Sequence, residues 1–153
     1  MRDILIRPYR SDDFEAVTTL WRRARERAFP DFQRRKGHTF EDDQAYFRDV
    51  ILVNNDVWVL EVDGAPVAFM AIAGDFIDQL YVDPEHQRSG FGRVLLEYAK
   101  SLSPERLWLF TLQINTNGRA FYEKNGFRIV QFGTSPAPES EPDVLYEWHG
   151  NKK

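Results

Sequence analysis

Asp78-Gln79-Leu80-Tyr81-Val82-Asp83-Pro84, followed closely by Gln87-Arg88-Ser89-Gly90-Phe91-Gly92, decides how this chain folds. A β-prone run stops at an Asp-Pro turn, two glycines follow, and Phe91, Val94, Leu95, Tyr98, Ala99 and Leu102 then recur at helical spacing. A strand that enters a helix through such a loop leaves backbone N–H groups unpaired at the positive end of the helix dipole. Gly90 and Gly92 let the backbone approach a ligand closely, and a pyrophosphate is the natural occupant. Taken alone, two glycines in such a turn more often only relieve a tight connection. The loop is no Walker A sequence, because no Gly-Lys-Ser/Thr closes it, and no dinucleotide fingerprint, because the third glycine is missing.

Upstream, Val57 to Val62 and Pro66 to Ala73 are β-rich runs joined by Asp63-Gly64, and Gly74-Asp75 turns the chain into Phe76 to Val82. Three consecutive strands therefore form an antiparallel meander. Before them, Ile4 to Tyr9 predicts a strand, and Ser11-Asp12-Asp13 predicts a side-chain-capped helix start. Phe14, Val17, Trp21, Ala24 and Ala28 carry that helix to Pro30. Thr39-Phe40-Glu41-Asp42 has the capping-box form, and Tyr46, Phe47, Val50 and Ile51 supply the buried stripe of a second helix ending near Asn54-Asn55. Downstream, Leu107 to Leu112 predicts a strand, Asn115 to Lys124 a helix stopped by Asn125-Gly126, and Phe127 to Phe132 another strand. An acidic, proline-rich loop over 134–143 precedes the last strand, Val144 to Trp148. The expected order is βααβββαβαββ.

The length of 153 residues, with no internal repeat or long linker, predicts one domain spanning 1–153. The absence of cysteine removes disulfides, thiolate metal sites and a cysteine nucleophile. His38, His86 and His149 lack metal-ligand spacing, so no metal is expected. No apolar run is long enough for a membrane span, and Met1-Arg2-Asp3-Ile4-Leu5-Ile6-Arg7-Pro8 is too polar for a signal-peptide core, so the expected compartment is the cytoplasm. The net charge of −4 is uneven: residues 1–36 hold ten Lys/Arg against six Asp/Glu, and the remainder holds ten against eighteen. Arg22, Arg23, Arg25, Arg27, Arg34, Arg35 and Lys36 can be read as a nucleic-acid patch. In an acidic chain a solvated helix face is the better reading, and nucleic acid is not an expected partner.

Gln87-Arg88-Ser89-Gly90-Phe91-Gly92 resembles the acetyl-CoA loop, Gln/Arg-x-x-Gly-x-Gly/Ala, of the GCN5-related N-acetyltransferase (GNAT) superfamily. The run Asp78 to Pro84 is similar to the strand and turn that introduce this loop in the family. Asn115-Thr116-Asn117-Gly118-Arg119-Ala120-Phe121-Tyr122-Glu123-Lys124-Asn125-Gly126-Phe127 resembles a second motif, an Asn seven residues before a helical Tyr and then Gly-Phe. Two motifs in the right order are far more specific than either alone, and the element order agrees from Ile4 to Trp148. The resemblance implies an α/β (α+β) acyl-CoA N-acyltransferase fold, with a mixed, mainly antiparallel central sheet flanked by helices.

It also implies roles. Leu80, Tyr81 and Val82 would offer backbone hydrogen bonds to the pantetheine arm of acetyl-CoA, in a gap where this strand splays from its neighbour. The loop from Gln87 would hold the pyrophosphate through the amides of Arg88, Ser89, Gly90, Phe91 and Gly92, with Arg88 or Arg93 as charge partners. Asn115 would anchor the pantetheine or position the second wall. Tyr122 would protonate the departing thiolate, and Asp78 would be the leading base. Each has a plainer reading: Leu80, Val82 and Tyr122 as core residues, Asp78 as an acid that pairs or caps. Phe76 and Phe110 stand where relatives can carry a glutamate, so a water relay stays open beside a direct base.

The implied reaction is transfer of an acetyl group from acetyl-CoA, as co-substrate, to a primary amine of a small molecule or protein, by direct attack and without an acyl-enzyme. The alternative from another class is a non-catalytic CoA-binding sensor or interaction module. Acceptor choice would lie in 21–47, with Phe29, Phe32 and Phe40, and in 134–143, with Glu139, Glu141 and Asp143. The Arg-rich first segment favours an anionic acceptor and the acidic second a cationic one. A homodimer stays open.

Overall fold

The structure, a computed structural model, describes residues 3–150. Its seven strands are β1 (Ile4–Pro8), β2 (Asp56–Val62), β3 (Ala65–Ala73), β4 (Phe76–Val82), β5 (Arg106–Leu112), β6 (Arg128–Thr134) and β7 (Pro142–His149). They form one sheet in the order β1-β2-β3-β4-β5-β7-β6, antiparallel except between β4 and β5. The mixed, mainly antiparallel sheet flanked by helices is the architecture expected from the sequence.

One face carries α1 (Phe14–Ala28) and α3 (40–54), with Val17, Leu20, Trp21, Phe47 and Ile51 packed on Val57, Val59, Phe69 and Ala71. The opposite face carries α4 (Phe91–Leu102) and α5 (Thr116–Lys124), where Leu95, Leu96, Ala99 and Tyr122 meet Leu60, Met70, Ile77, Leu107 and Leu109. Each fully buried leucine of α4 contributes about 2 kcal/mol.

Local signals act much as their chemistry dictates. Thr39 Oγ1 accepts from Asp42 N–H at 3.0 Å and Asp42 Oδ2 accepts from Thr39 N–H at 2.9 Å, closing the capping box. Asp63 and Gly64 both adopt positive φ, as a tight hairpin turn requires.

Three expectations need correction. Tyr46 does not belong to the buried stripe of α3: it is 49% exposed, whereas Phe47 and Ile51 are fully buried. Pro30 ends α1, but it is also the first residue of a further short helix, α2 (Pro30–Lys36), where its missing N–H costs nothing. At the start of α1, Ser11 supplies no side-chain cap. Instead Asp13 accepts from Arg10 N–H at 2.8 Å and is buried in a bidentate pair with Arg7, whose Nε also reaches Glu61 at 2.8 Å. That pair ties β1 to β2 and to the entry of α1.

Candidate active site

Among the described residues β4 and β5 are the only parallel neighbours, and they pair at one point, Phe76 with Trp108. Asp75 pins this closed end: its carbonyl accepts from Trp108 N–H at 3.0 Å, and its carboxylate accepts from Trp108 Nε1 at 2.9 Å and Arg106 Nη1 at 2.8 Å. Beyond it, β4 continues along β3 while β5 pairs with β7 throughout its length. The two strands therefore diverge, and residues 77–82 keep the edge facing β5 without a strand partner. An extended chain can be added there.

The glycine loop lies at the open end. Asp83 caps the turn Pro84–His86, Gln87 Nε2 donates to the Val82 carbonyl at 3.3 Å, and Ser89 Oγ donates to the His86 carbonyl. Arg88 and Gly90 take left-handed backbone angles, φ 65° and 84°. The first helical bond runs from Val94 N–H to the Gly90 carbonyl at 3.0 Å, and the N–H groups of 88–93 donate to no backbone carbonyl among the described residues. Arg88 and Arg93 form no ion pair there. Free amides at a helix N-terminus with two unpaired guanidiniums fit a pyrophosphate. The other loop residues divide differently. Phe91 is a core residue, its side chain buried under the loop. Gly92 packs closely on α5, where a Cβ would lie 3.3 Å from Phe121 Cζ.

Leu80 and Val82 pack toward the core under α4, whereas Tyr81 stacks on Phe69 on the other face, with ring centroids 6.2 Å apart. Tyr122 is 9% exposed, set among Phe121, Phe127 and Tyr146, and its hydroxyl makes no hydrogen bond among the described residues. Burial, with a smaller contribution from Tyr81, raises its pKa well above the ordinary tyrosine value, so it stays a proton donor. Asn115 is engaged within the protein: it accepts from Gly118 N–H at 3.2 Å, capping α5, and donates to Thr111 Oγ1 at 2.9 Å.

Asp78 is the extra residue of a β-bulge. Ala71 pairs with Gln79 and Ile72 with Ile77, which leaves Asp78 unopposed. Ile77 and Leu80 pack on the α4 side, while Asp78 accepts from Asn55 Nδ2 at 2.9 Å at the end of α3. Strict alternation would have aligned Asp78 with Leu80 and Val82; the bulge turns it to the other face. Burial raises its pKa, and hydrogen bonds from Asn55 and Gln79 pull the other way. Tyr46 of α3 and Tyr81 are raised by burial and then by Asp78 and Glu139. These groups gather on the α1 and α3 side of the cleft. Phe76, Trp108 and Phe110 form an aromatic cluster at its closed end, with Phe76 and Trp108 4.4 Å apart.

A family model described as "Acetyltransferase (GNAT) domain" matches residues 53–129, which span the meander, the loop, α4 and the Asn115–Phe127 motif. The chain belongs to the GNAT family. It is an acetyl-CoA-dependent N-acetyltransferase, as its homologues indicate. This GNAT chain is 31% identical over 128 residues to the peptidyl-lysine N-acetyltransferase YjaB of Salmonella typhimurium, covering 83% of this chain and 85% of that one. It is also 31% identical to the peptidyl-lysine N-acetyltransferase YiaC of Escherichia coli, covering 82% and 84%. The solution structure of apo-form YjaB from Escherichia coli superposes with a TM-score of 0.78 at 26% identity, over 97% of this chain and 99% of that one.

Within this GNAT fold the opposed charges of the sequence meet each other. Arg35 Nη1 reaches Glu141 at 3.2 Å and Lys36 Nζ donates to the Glu139 carbonyl at 3.4 Å, so α2 bridges to the loop before β7. Arg23 pairs with Asp83 at 3.1 Å, and Arg22 and Arg25 both reach Asp43. Most of the basic patch is thus engaged internally. Among the described residues no helix is long and apolar enough to cross a membrane. Sequence reasoning missed Asn55, Tyr46 and the pairing of Arg25. Asn55 was legible only as a helix end, and its second use depends on the bulge.

Proposed function

We propose that this GNAT enzyme acetylates a primary amine, the ε-amine of a lysine side chain in a protein or peptide, by direct attack on the thioester. The observation that carries the reading is Asp78, turned by the bulge toward the end of α3 beside the β4–β5 opening, while Tyr122 packs on the α4 side with a hydroxyl that is unpaired among the described residues. A carboxylate whose charge reaches the Tyr46 and Tyr81 hydroxyls suits an incoming alkylammonium, and two relatives carry the name peptidyl-lysine N-acetyltransferase.

In this proposal Leu80, Tyr81 and Val82 bind the pantetheine arm along the free edge of β4. The amides of Arg88 to Gly92 hold the pyrophosphate, and Arg88 and Arg93 neutralise it. Acetyl-CoA supplies the thioester. An alkylammonium has a pKa near ~10, so it must lose a proton before it attacks; Asp78 takes that proton directly or through water. A raised carboxylate pKa makes Asp78 a better base. An N–H on the free β4 edge donates to the carbonyl oxygen as it gains charge. The amine nitrogen bonds to the carbonyl carbon, the carbon–sulfur bond breaks, and Tyr122 gives its proton to the sulfur; the nitrogen's second proton leaves through water and restores the phenol.

The test is CoA release with a single-lysine peptide, followed by a thiol reagent that finds no cysteine in the enzyme to react with. One acetyl group on the lysine nitrogen is expected. Tight acetyl-CoA binding with no release across a broad panel of amines and lysine peptides would return the chain to a CoA-binding module.

A further inference from the structure

We propose that Asp143, with Glu139 beside it, forms a second cation site on the Asp78 face of the sheet, so that the preferred acceptor carries a positive charge besides the amine that is acetylated; this rests on the proposed attack of an alkylamine at Asp78. Asp143 is 7% exposed, and its carboxylate makes no hydrogen bond or ion pair among the described residues. A buried carboxylate is almost never left unpaired. Neither of its oxygens is sealed from solvent.

The carboxylate stands on an open surface. Val144 and Tyr146 enter the core under α4 and α5, so Asp143 alternates to the opposite face, the one to which the bulge turns Asp78. On that face the core contacts of α1 and α3 lie on β2, β3 and Tyr81 of β4, and Phe110 of β5, which alternates with the buried Leu109, is half exposed. Asp143 pairs with Leu112 of β5 on one side and Gly133 of β6 on the other. A Cβ at Gly133 would lie 3.3 Å from Asp143 Oδ1, so the missing side chain keeps that oxygen clear.

The charge there is unbalanced. The Glu139 carboxylate acts on Asp143 and also, with Asp78, on the hydroxyls of Tyr46 and Tyr81, which links the two aspartates through a third acid. No positive group of the protein acts on Asp143. The nearby bases are engaged elsewhere: Arg35 Nη1 on Glu141 at 3.2 Å, and Lys36 Nζ on the Glu139 carbonyl, not its carboxylate, at 3.4 Å. Protonating Asp143 would add an O–H without an acceptor, and a water would leave two like charges together. A guanidinium or ammonium supplies both the donors and the charge. It can come from a free diamine or from a basic side chain near the lysine of a peptide.

Peptides with one lysine and either arginine or citrulline at each nearby position isolate the charge, since citrulline keeps the shape without it. Diamines of graded length against amino alcohols of equal length do the same for a free acceptor, and the set that responds identifies the source. In at least one pair the charged member should exceed its neutral partner in kcat/KM by about tenfold. Calorimetry with the acetylated products of the same pairs should show the preference without turnover. Asp143→Asn should erase most of it and Glu139→Gln part of it. With no internal partner to lose, Asp143→Asn should also unfold in urea at a midpoint equal to or above that of the wild type. A preference unchanged in Asp143→Asn overturns the site, and so does a lowered midpoint, which would show the carboxylate held within the protein. Acetylation indifferent to charge in every pair defeats the site alone. Charge-selective binding without turnover of any amine defeats the proposed function alone.

Discussion

Asn55 Nδ2 donates to Asp78 Oδ2 at 2.9 Å and to the Ile51 carbonyl at 3.0 Å, so the end of α3 holds the carboxylate that the β4 bulge turns out of register. The bond favours the charged form of Asp78, against the burial that disfavours it. Asn55→Ala removes the favourable part, and the Asp78 pKa rises further. The acidic limb of the kcat profile then moves to higher pH, while kcat at alkaline pH approaches the wild-type value. A pH–rate profile of the two proteins checks this, and an unmoved limb removes Asp78 as the titrating group.

Tyr122 is the proposed proton donor to the leaving thiolate. Its burial keeps the phenol protonated through neutral pH, so it contributes no alkaline limb there. Tyr122→Phe is expected to lower kcat by about a hundredfold while calorimetric affinity for acetyl-CoA stays unchanged. An unchanged kcat would mean that the thiolate leaves without this proton.

Gly118 is fixed by the cap it sits beneath. A Cβ built there would lie 2.2 Å from Asn115 Nδ2, which cannot move without surrendering the bond that starts α5. Gly118→Ala should cost about 1–2 kcal/mol, the value of an N-cap. Urea unfolding measures it, and wild-type stability would show that Asn115 finds another rotamer.

Asp13 provides a stability test far from the chemistry. Its bonds from Arg7 depress its pKa, so its contribution is complete above the ordinary aspartate value and is lost as pH falls through the depressed one. Asp13→Ala should cost about 3 kcal/mol at neutral pH by leaving Arg7 with only Glu61, and should flatten the loss of stability on acidification. Unfolding curves at neutral and acid pH show both effects.

Much of the fold was legible because its signals are local. The Asp63-Gly64 turn, the Thr39 capping box and the glycine loop each depend on neighbours within a few residues. What escaped depends on distant partners. Pro30 reads as a stop, and only its fixed φ at the first position of α2 makes it also a start. The Arg-rich and acidic segments conflict as compositions, yet Arg35 and Glu141 lie 106 residues apart in sequence and pair in space. Asp78 was a candidate base from its strand, but strict alternation alone would align it with Leu80 and Val82; a bulge is a property of two strands together. The roles of Asn55 and Arg25 follow from that bulge and from helix packing, neither of which a single sequence displays.

The most direct measurement is kcat against pH for the wild type and Asp78→Asn with the same lysine peptide. The wild type should rise from acid pH to a plateau. Asp78→Asn should bind acetyl-CoA normally, turn over about a hundredfold more slowly at neutral pH, and recover toward the pKa of the amine, where the acceptor loses its proton to solvent unaided. A variant whose profile overlays that of the wild type would contradict the assignment of Asp78 as the group that receives the proton.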